Sequence, residues 1–282
     1  MNAVLAEAAL KNLNRSVVPA KPFLKWVGGK RQLLSQLLDK SPNDFNAYHE
    51  PFLGGAALFY ALEPDSAFLS DLNDRLLRTY KAIRDEPEAV IRLLETYPYD
   101  KEFYLRLRSV DIDKRPDFEV AAWMLYVTKT GFNGLYRVNK SGGFNVPFGR
   151  YKNPTICDAG RLMACSEALQ GVTLVHDDFM GVEKRAKAGD FVYFDPPYVP
   201  LNTTSSFTSY TRDGFTIDDQ IRLRDLALRL KERGVYVLLS NSSAEVVREL
   251  YAPKFNVKEV MASRAINSRA SARGKVAELL MW

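Results

Sequence analysis

Nine residues, Asp190 to Tyr198, reading DFVYFDPPY, constrain this chain more than any other stretch. The apolar, β-rich run Phe191, Val192, Tyr193 and Phe194 reads as a buried parallel strand, and Pro196 and Pro197 end it because proline cannot donate to a strand ladder. In open α/β sheets the working groups lie just beyond the carboxyl ends of the strands, so Asp195 and Tyr198 are predicted to face a crevice. The Asp195 carboxylate and the Pro196 carbonyl then form two fixed acceptors beside an aromatic face, in a turn stiffened by Pro197. A strand that merely ends in a proline turn is the competing reading of the tetrapeptide.

The frame around this stretch is that of a globular protein. The chain has 282 residues, 46% hydrophobic and 26% charged, enough for one large domain or two modest ones. No run approaches the 18 or so uninterrupted apolar residues of a membrane span. Residues 1–20, with Glu7 inside their short apolar part and no cationic front, read as a frayed or helical extension rather than a signal peptide. Cys157 and Cys165 have no neighbouring histidine, which fits neither zinc spacing nor a disulfide scaffold; they read as buried thiols of a cytoplasmic protein. With only His49 and His176 in the chain, histidine triads and histidine-rich metal sites are disfavoured, and no metal ligands are predicted. The net charge of +5 is a mild bias, but its distribution says more. From Val120 to Cys157 there is no acid, while Lys129, Arg137, Lys140, Arg150 and Lys152 all fall inside. A one-signed patch with interleaved aromatics is an electrostatic footprint for nucleic acid; an ordinary solvated loop is the bland alternative.

Along the chain, residues 21–39 give an apolar run, a break at Gly28-Gly29 and helical periodicity at Leu33, Leu34, Leu37 and Leu38. A glycine turn that opens a helix presents free N–H groups to an anion, and Lys30 adds a charge there. Residues 46–62 give a short strand, the turn Pro51-Phe52-Leu53-Gly54-Gly55 and a helix. A second strand, 67–73, ends in Asp71, close to the ~20-residue offset at which an acid takes ribose hydroxyls in Rossmann-like sites. The glycines do not make a G-x-G-x-x-G fingerprint, and no Walker lysine–serine pair follows. Glycine turn, helix, strand and terminal acid together favour an adenosine-containing cofactor. Residues 73–130 lose the strand–helix alternation and read as helices, followed by a ribbon over 131–154 with a hairpin turn at Ser141-Gly142-Gly143. The α/β rhythm then resumes with helix 158–170, strand 172–176, the opening strand, helix 216–232 and strand 234–243, and the chain closes on an antiparallel pair. The predicted divisions are an extension (1–20), a first α/β part (21–74), an insert (75–156) and a second α/β part (157–282).

The motifs FLKWVGGK, EPFLGGAALF, SDLND, GFNGLYRVN, GGFNVPFGRY, DPPY and INS…KVAELL, in that order, make the chain resemble the DNA adenine-N6 methyltransferases of the Dam family, from about Phe23 to the end. The resemblance implies a Rossmann-like α/β methyltransferase sheet with an inserted helical and β-hairpin DNA-recognition domain. It also implies a cytoplasmic enzyme that uses S-adenosylmethionine on double-stranded DNA. On it, Trp26, Lys30, Asp71 and Asp195 match cofactor-binding positions, with Asp71 suited to the ribose and the Gly28–Lys30 turn to the methionine carboxylate. Phe52 and Gly54 belong to the same wall, and Asp178 and Phe179 suit the cofactor's adenine. A plain core tryptophan is the alternative for Trp26.

The implied chemistry rests on Asp195, Pro196, Pro197 and Tyr198. An exocyclic adenine amine is a poor nucleophile, since its lone pair is delocalised into the ring. Acceptors at Asp195 and the Pro196 carbonyl hold its two N–H groups and favour a tetrahedral nitrogen, while Tyr198 stacks on a base that must be flipped from the duplex. In the ribbon, Arg137 is the choice for a bidentate contact to guanine. Phe132 matches an aromatic that inserts near the flipped base, and Asn133, Leu135, Asn139, Pro147 and Tyr151 match DNA-proximal positions. Lys129, Lys140, Arg150 and Lys152 suit phosphates, and the loop after Tyr198, with Tyr210 and Arg212, suits closure over the base. GATC is the implied target, and a restriction endonuclease acting on the same site is a possible partner. Two departures stand out: Thr128-Lys129 before the GFN motif, and Arg269-Ala270-Ser271-Ala272-Arg273 after INS. An RNA or protein-amide methyltransferase and a catalytically silent DNA-binding module are the competing functions.

Overall fold

The computed structural model describes residues 18–200, 215–263 and 275–282. The opening stretch is strand β4 (Phe191–Phe194), with all four residues buried, as a strand covered on both faces requires. Its side chains alternate between two cores. Phe191 and Tyr193 join Tyr48, Leu69, Tyr80 and Trp123 on one face, while Val192 and Phe194 join Leu223, Leu226, Leu239 and Tyr251 on the other.

Around β4 the strands β1 (Tyr48–Glu50), β2 (Ala67–Asp71), β3 (Thr173–His176), β5 (Tyr236–Ser242), β6 (Val257–Ser263) and β7 (Lys275–Met281) complete a seven-stranded sheet in the order β3-β2-β1-β4-β5-β7-β6. β1 to β5 are parallel neighbours, and β7 inserts antiparallel between β5 and β6. The sheet is thus the mostly parallel, Rossmann-like one expected, with the antiparallel terminal pair in place. The chain passes from β1 to β2 on one side, while β4 lies on the other side of β1. Such a reversal opens a crevice at the carboxyl ends of the strands, where ligands bind in sheets of this kind.

The helices that follow β2 share the first core. Helix Asp74–Asp85, capped by Asn73 accepting from the Leu76 amide at 3.2 Å, packs against β2, β3 and helix Asp117–Thr130. In that second helix every residue from Val120 to Thr128 is buried; it is a core helix, not an amphipathic one. The helical insert therefore stands on the same hydrophobic core as the sheet. Its ribbon is less regular than the sequence suggests. It is held by two isolated bridges, Gly131 to Phe148 and Val138 to Phe144. The turn is closed by Asn139, whose Oδ1 accepts from Ser141 N at 3.0 Å and Gly143 N at 2.8 Å, with Gly142 in the left-handed region. Residues 1–17, the loop carrying Tyr210 and Arg212, and the segment from INS to Arg273 lie outside the described residues.

Candidate active site

Asp195 follows β4 directly, and three groups organise its carboxylate. Lys30 Nζ stands 2.7 Å from Oδ1, and Ser240 Oγ donates to the same oxygen at 2.9 Å. Ser240 in turn shares a hydrogen bond of 2.9 Å with the Tyr193 hydroxyl. Lys30 also donates to the Gly28 carbonyl at 2.7 Å and lies 4.5 Å from the centroid of the Tyr198 ring. The lysine expected to wait at the glycine turn for an anion is therefore engaged with Asp195.

The rest of the turn is clamped from β5, β7 and the helix Ile217–Glu232. The Tyr198 hydroxyl donates to Glu278 at 2.8 Å. Gln220 donates to the Pro197 carbonyl at 3.4 Å, and the Val199 amide donates to Asn241 at 3.4 Å. Asn241 and Gln220 are themselves bonded at 3.1 Å. Among the described residues no donor reaches the Pro196 carbonyl. Burial pushes the Tyr193 and Tyr198 phenols well above their usual range, with added repulsion from Asp195, so both remain protonated donors. Glu50, at the end of β1, is buried and accepts from the Tyr48 hydroxyl at 2.9 Å. Burial, reinforced by Asp195, raises its carboxyl well above the carboxylate range.

Asp71, Gly54, Phe52 and Phe179, expected from the sequence to line a cofactor site, lie at or just beyond the neighbouring strand ends. Asp71, last residue of β2, accepts from Asn73 N at 2.9 Å and from Gly54 N at 3.4 Å, and burial raises its carboxyl. Gly54 has φ +47°, and a Cβ there would meet the Trp26 ring at 3.1 Å; both disfavour a side chain at this position. Phe52 and Phe179 stack at 5.4 Å with an interplanar angle of 22°, and Phe215 meets both rings. Asp178 caps the short turn Phe179–Gly181, accepting from Met180 N at 2.8 Å.

Trp26 packs against the edge of the first core. It is half-buried and stacks on Tyr136 of the ribbon at 5.5 Å and 25°. Beside it, Lys25 donates to the Tyr151 hydroxyl at 2.9 Å and fills the space over Gly134. The segment before Lys30 and the ribbon thus form one joint.

The ribbon residues fall into two groups. Phe132 (41% exposed), Pro147, Arg150 and Lys152 are exposed, while Leu135 is half-buried and Asn133 holds φ +55°. Others are committed to protein: Arg137 bonds Asn145 across the ribbon at 2.6 Å through Nε and at 3.1 Å to its carbonyl, Asn139 closes the turn, and Tyr151 donates to the Gly131 carbonyl at 2.9 Å. Lys129 turns inward to the Ile156 carbonyl at 3.0 Å, and burial lowers its pKa; it does not face outward as a phosphate ligand would.

Sequence reading missed Ser240, Glu278, Gln220, Lys25 and Tyr136. A signal existed for the first: Ser240-Asn241-Ser242 is a buried polar run ending an apolar strand, and buried polar groups require partners. The long-range partners had no such signal.

Comparison with known proteins finds relatives along most of the chain. The family model for D12 class N6 adenine-specific DNA methyltransferases matches residues 26–266. Type II methyltransferase M1.LlaDCHI of Lactococcus lactis subsp. cremoris is 45% identical over 277 residues, spanning 95% of this chain and 97% of that protein. Type II methyltransferase M.MjaIII of Methanocaldococcus jannaschii is 42% identical over 276 residues, spanning 90% and 95%. The DNA adenine methylase of Vibrio cholerae is 38% identical over 266 residues, spanning 92% and 95%. A crevice with two acceptors and an aromatic ring, a core-anchored basic ribbon and a match over most of the chain lead to one conclusion: this protein belongs to the D12 class of N6 adenine-specific DNA methyltransferases.

Proposed function

We propose that the protein methylates N6 of an adenine turned out of duplex DNA, within GATC, using S-adenosylmethionine. The observation that carries this reading is the arrangement at Asp195: Lys30 and Ser240 both meet Oδ1, and the adjacent Pro196 carbonyl is left without a donor among the described residues.

The chain's groups fit the cofactor. A buried acid at Asp71 suits a ribose diol, the Phe52 and Phe179 rings suit an adenine, and Gly54 leaves the approach open beside Trp26. When bound, S-adenosylmethionine supplies an electrophilic methyl group. Asp195, through Oδ2, and the Pro196 carbonyl accept the two N–H groups of the amine and hold its nitrogen tetrahedral, so that the lone pair leaves conjugation. Asp195 is placed to receive the proton the nitrogen releases, and the Lys30 ammonium holds that carboxylate in orientation. Fixed acceptors of this kind act without reorganising during the reaction. Tyr198 stacks on the extruded base. Arg137 leaves Asn145 to reach guanine, and Arg150 and Lys152 hold phosphates.

Incubation with methyl-labelled cofactor and a GATC duplex is expected to label adenine; absence of label on every DNA tested sinks the reading. Base-resolution mapping of methyladenine after expression in an unmethylated host gives the target sequence, and a site other than GATC overturns that part alone. The type II names of the Lactococcus and Methanocaldococcus relatives support pairing with an endonuclease that cuts the same site.

A further inference from the structure

Glu278 lies in β7, opposite Ser242 of β5 and Val260 of β6, and its Oε2 accepts from the Tyr198 hydroxyl at 2.8 Å. The backbone of the turn is already fixed by Gln220 at the Pro197 carbonyl and by Asn241 at the Val199 amide. Neither contact constrains the Tyr198 ring, which remains able to rotate about its side-chain torsions. The Glu278 contact ties down the far end of that ring, and Lys30 lies over its face at 4.5 Å.

We propose that Glu278 is a positioning residue for methyl transfer, acting through Tyr198 on the target base. The proposal rests on the reading of Tyr198 as the surface that receives the adenine. Two physical effects follow from one hydrogen bond. The ring is held in a single orientation before the base arrives, so less freedom is lost at the moment of reaction. A phenol that donates to a carboxylate also carries more electron density on its ring, and methyl transfer to a neutral amine places positive charge on the base. The attraction between that charge and an aromatic face is greater in the transition state than in the ground state, which is the condition for an effect on rate rather than affinity. No proton leaves Tyr198; burial keeps the phenol protonated.

The test is a double-mutant cycle on the full-length enzyme, read by single-turnover methylation of a duplex and by separate affinities for DNA and for S-adenosylmethionine. Glu278→Ala and Tyr198→Phe are each expected to slow the single-turnover rate about tenfold, the scale of a hydrogen bond to a charged group. Both affinities should stay within about twofold, and the double variant should be no slower than the slower single. Glu278→Gln keeps an acceptor oxygen without the charge and is expected to recover part of the loss. Losses that multiply to about a hundredfold, a Glu278→Ala rate within about twofold of wild type, or a loss confined to DNA affinity overturns the proposal. If Glu278→Ala melts below the assay temperature, the same cycle is run with Glu278→Gln and Tyr198→Phe, with the same criteria of additivity. A wild-type enzyme that labels no adenine overturns the functional reading beneath and this proposal with it; an active wild type with multiplying losses overturns this proposal alone.

Discussion

The Lys30 ammonium and the Asp195 carboxylate stand 2.7 Å apart with side chains only 7% and 20% exposed. A pair so placed is costly to break from one side, about 3–5 kcal/mol when fully buried and less here because Asp195 keeps some solvent. Asp195→Ala is expected to abolish methyl transfer while DNA affinity stays within about twofold, since the carboxylate acts on the reacting amine and not on the duplex. Labelled-methyl incorporation beside fluorescence anisotropy checks this, and wild-type incorporation by the variant refutes the role. Lys30→Met is expected to lower the melting temperature by several degrees, the signature of an uncompensated buried charge.

The Trp26–Tyr136 stack couples the ribbon to the proposed cofactor wall. Tyr136→Ala removes an aromatic partner worth about 0.5–1.5 kcal/mol and is expected to weaken S-adenosylmethionine binding several-fold by titration calorimetry. Gly54→Ala is expected to weaken it more. The added Cβ lies 3.1 Å from the Trp26 ring, and φ +47° disfavours any side chain. Unchanged cofactor affinity in both variants would place the cofactor elsewhere.

Arg137 and Arg150 are expected to fail differently. Arg137→Ala should cost about 1–3 kcal/mol of discrimination between target and altered duplexes while changing non-specific binding little. Arg150→Ala should weaken all duplexes alike and reduce the salt dependence by about one phosphate contact. Competition binding at two salt concentrations separates the two patterns; preserved site preference in Arg137→Ala assigns recognition to another residue.

Glu50 makes stability depend on pH in a defined direction. Burial raises its carboxyl well above the usual 4.5, so the folded protein keeps the proton to a higher pH than the unfolded chain does. The stabilisation is complete below about 4.5 and is lost as the pH rises through the raised folded value. Glu50→Gln mimics the protonated form and does not titrate. Its melting temperature relative to wild type is expected to rise from pH 5 to pH 8; the opposite trend would show that Glu50 is ionised in the fold.

The sequence alone carries the sheet strands, the long helices and the proline-stopped turn. Each is written in local periodicity or in proline and glycine placement, as in the FVYF run, the periodic leucines 33, 34, 37 and 38, and DPPY. It also delivered Asp71, Gly54 and Phe52 to the crevice, because strand ends in this topology converge there. How these groups are held follows from the packed fold. Lys30 turns onto Asp195, Lys129 turns inward, Trp26 meets Tyr136, and Glu278 reaches Tyr198 across 80 residues of chain. Such pairings depend on which side chains the packed core brings within hydrogen-bond range, and no local pattern encodes a distance between residues on different strands.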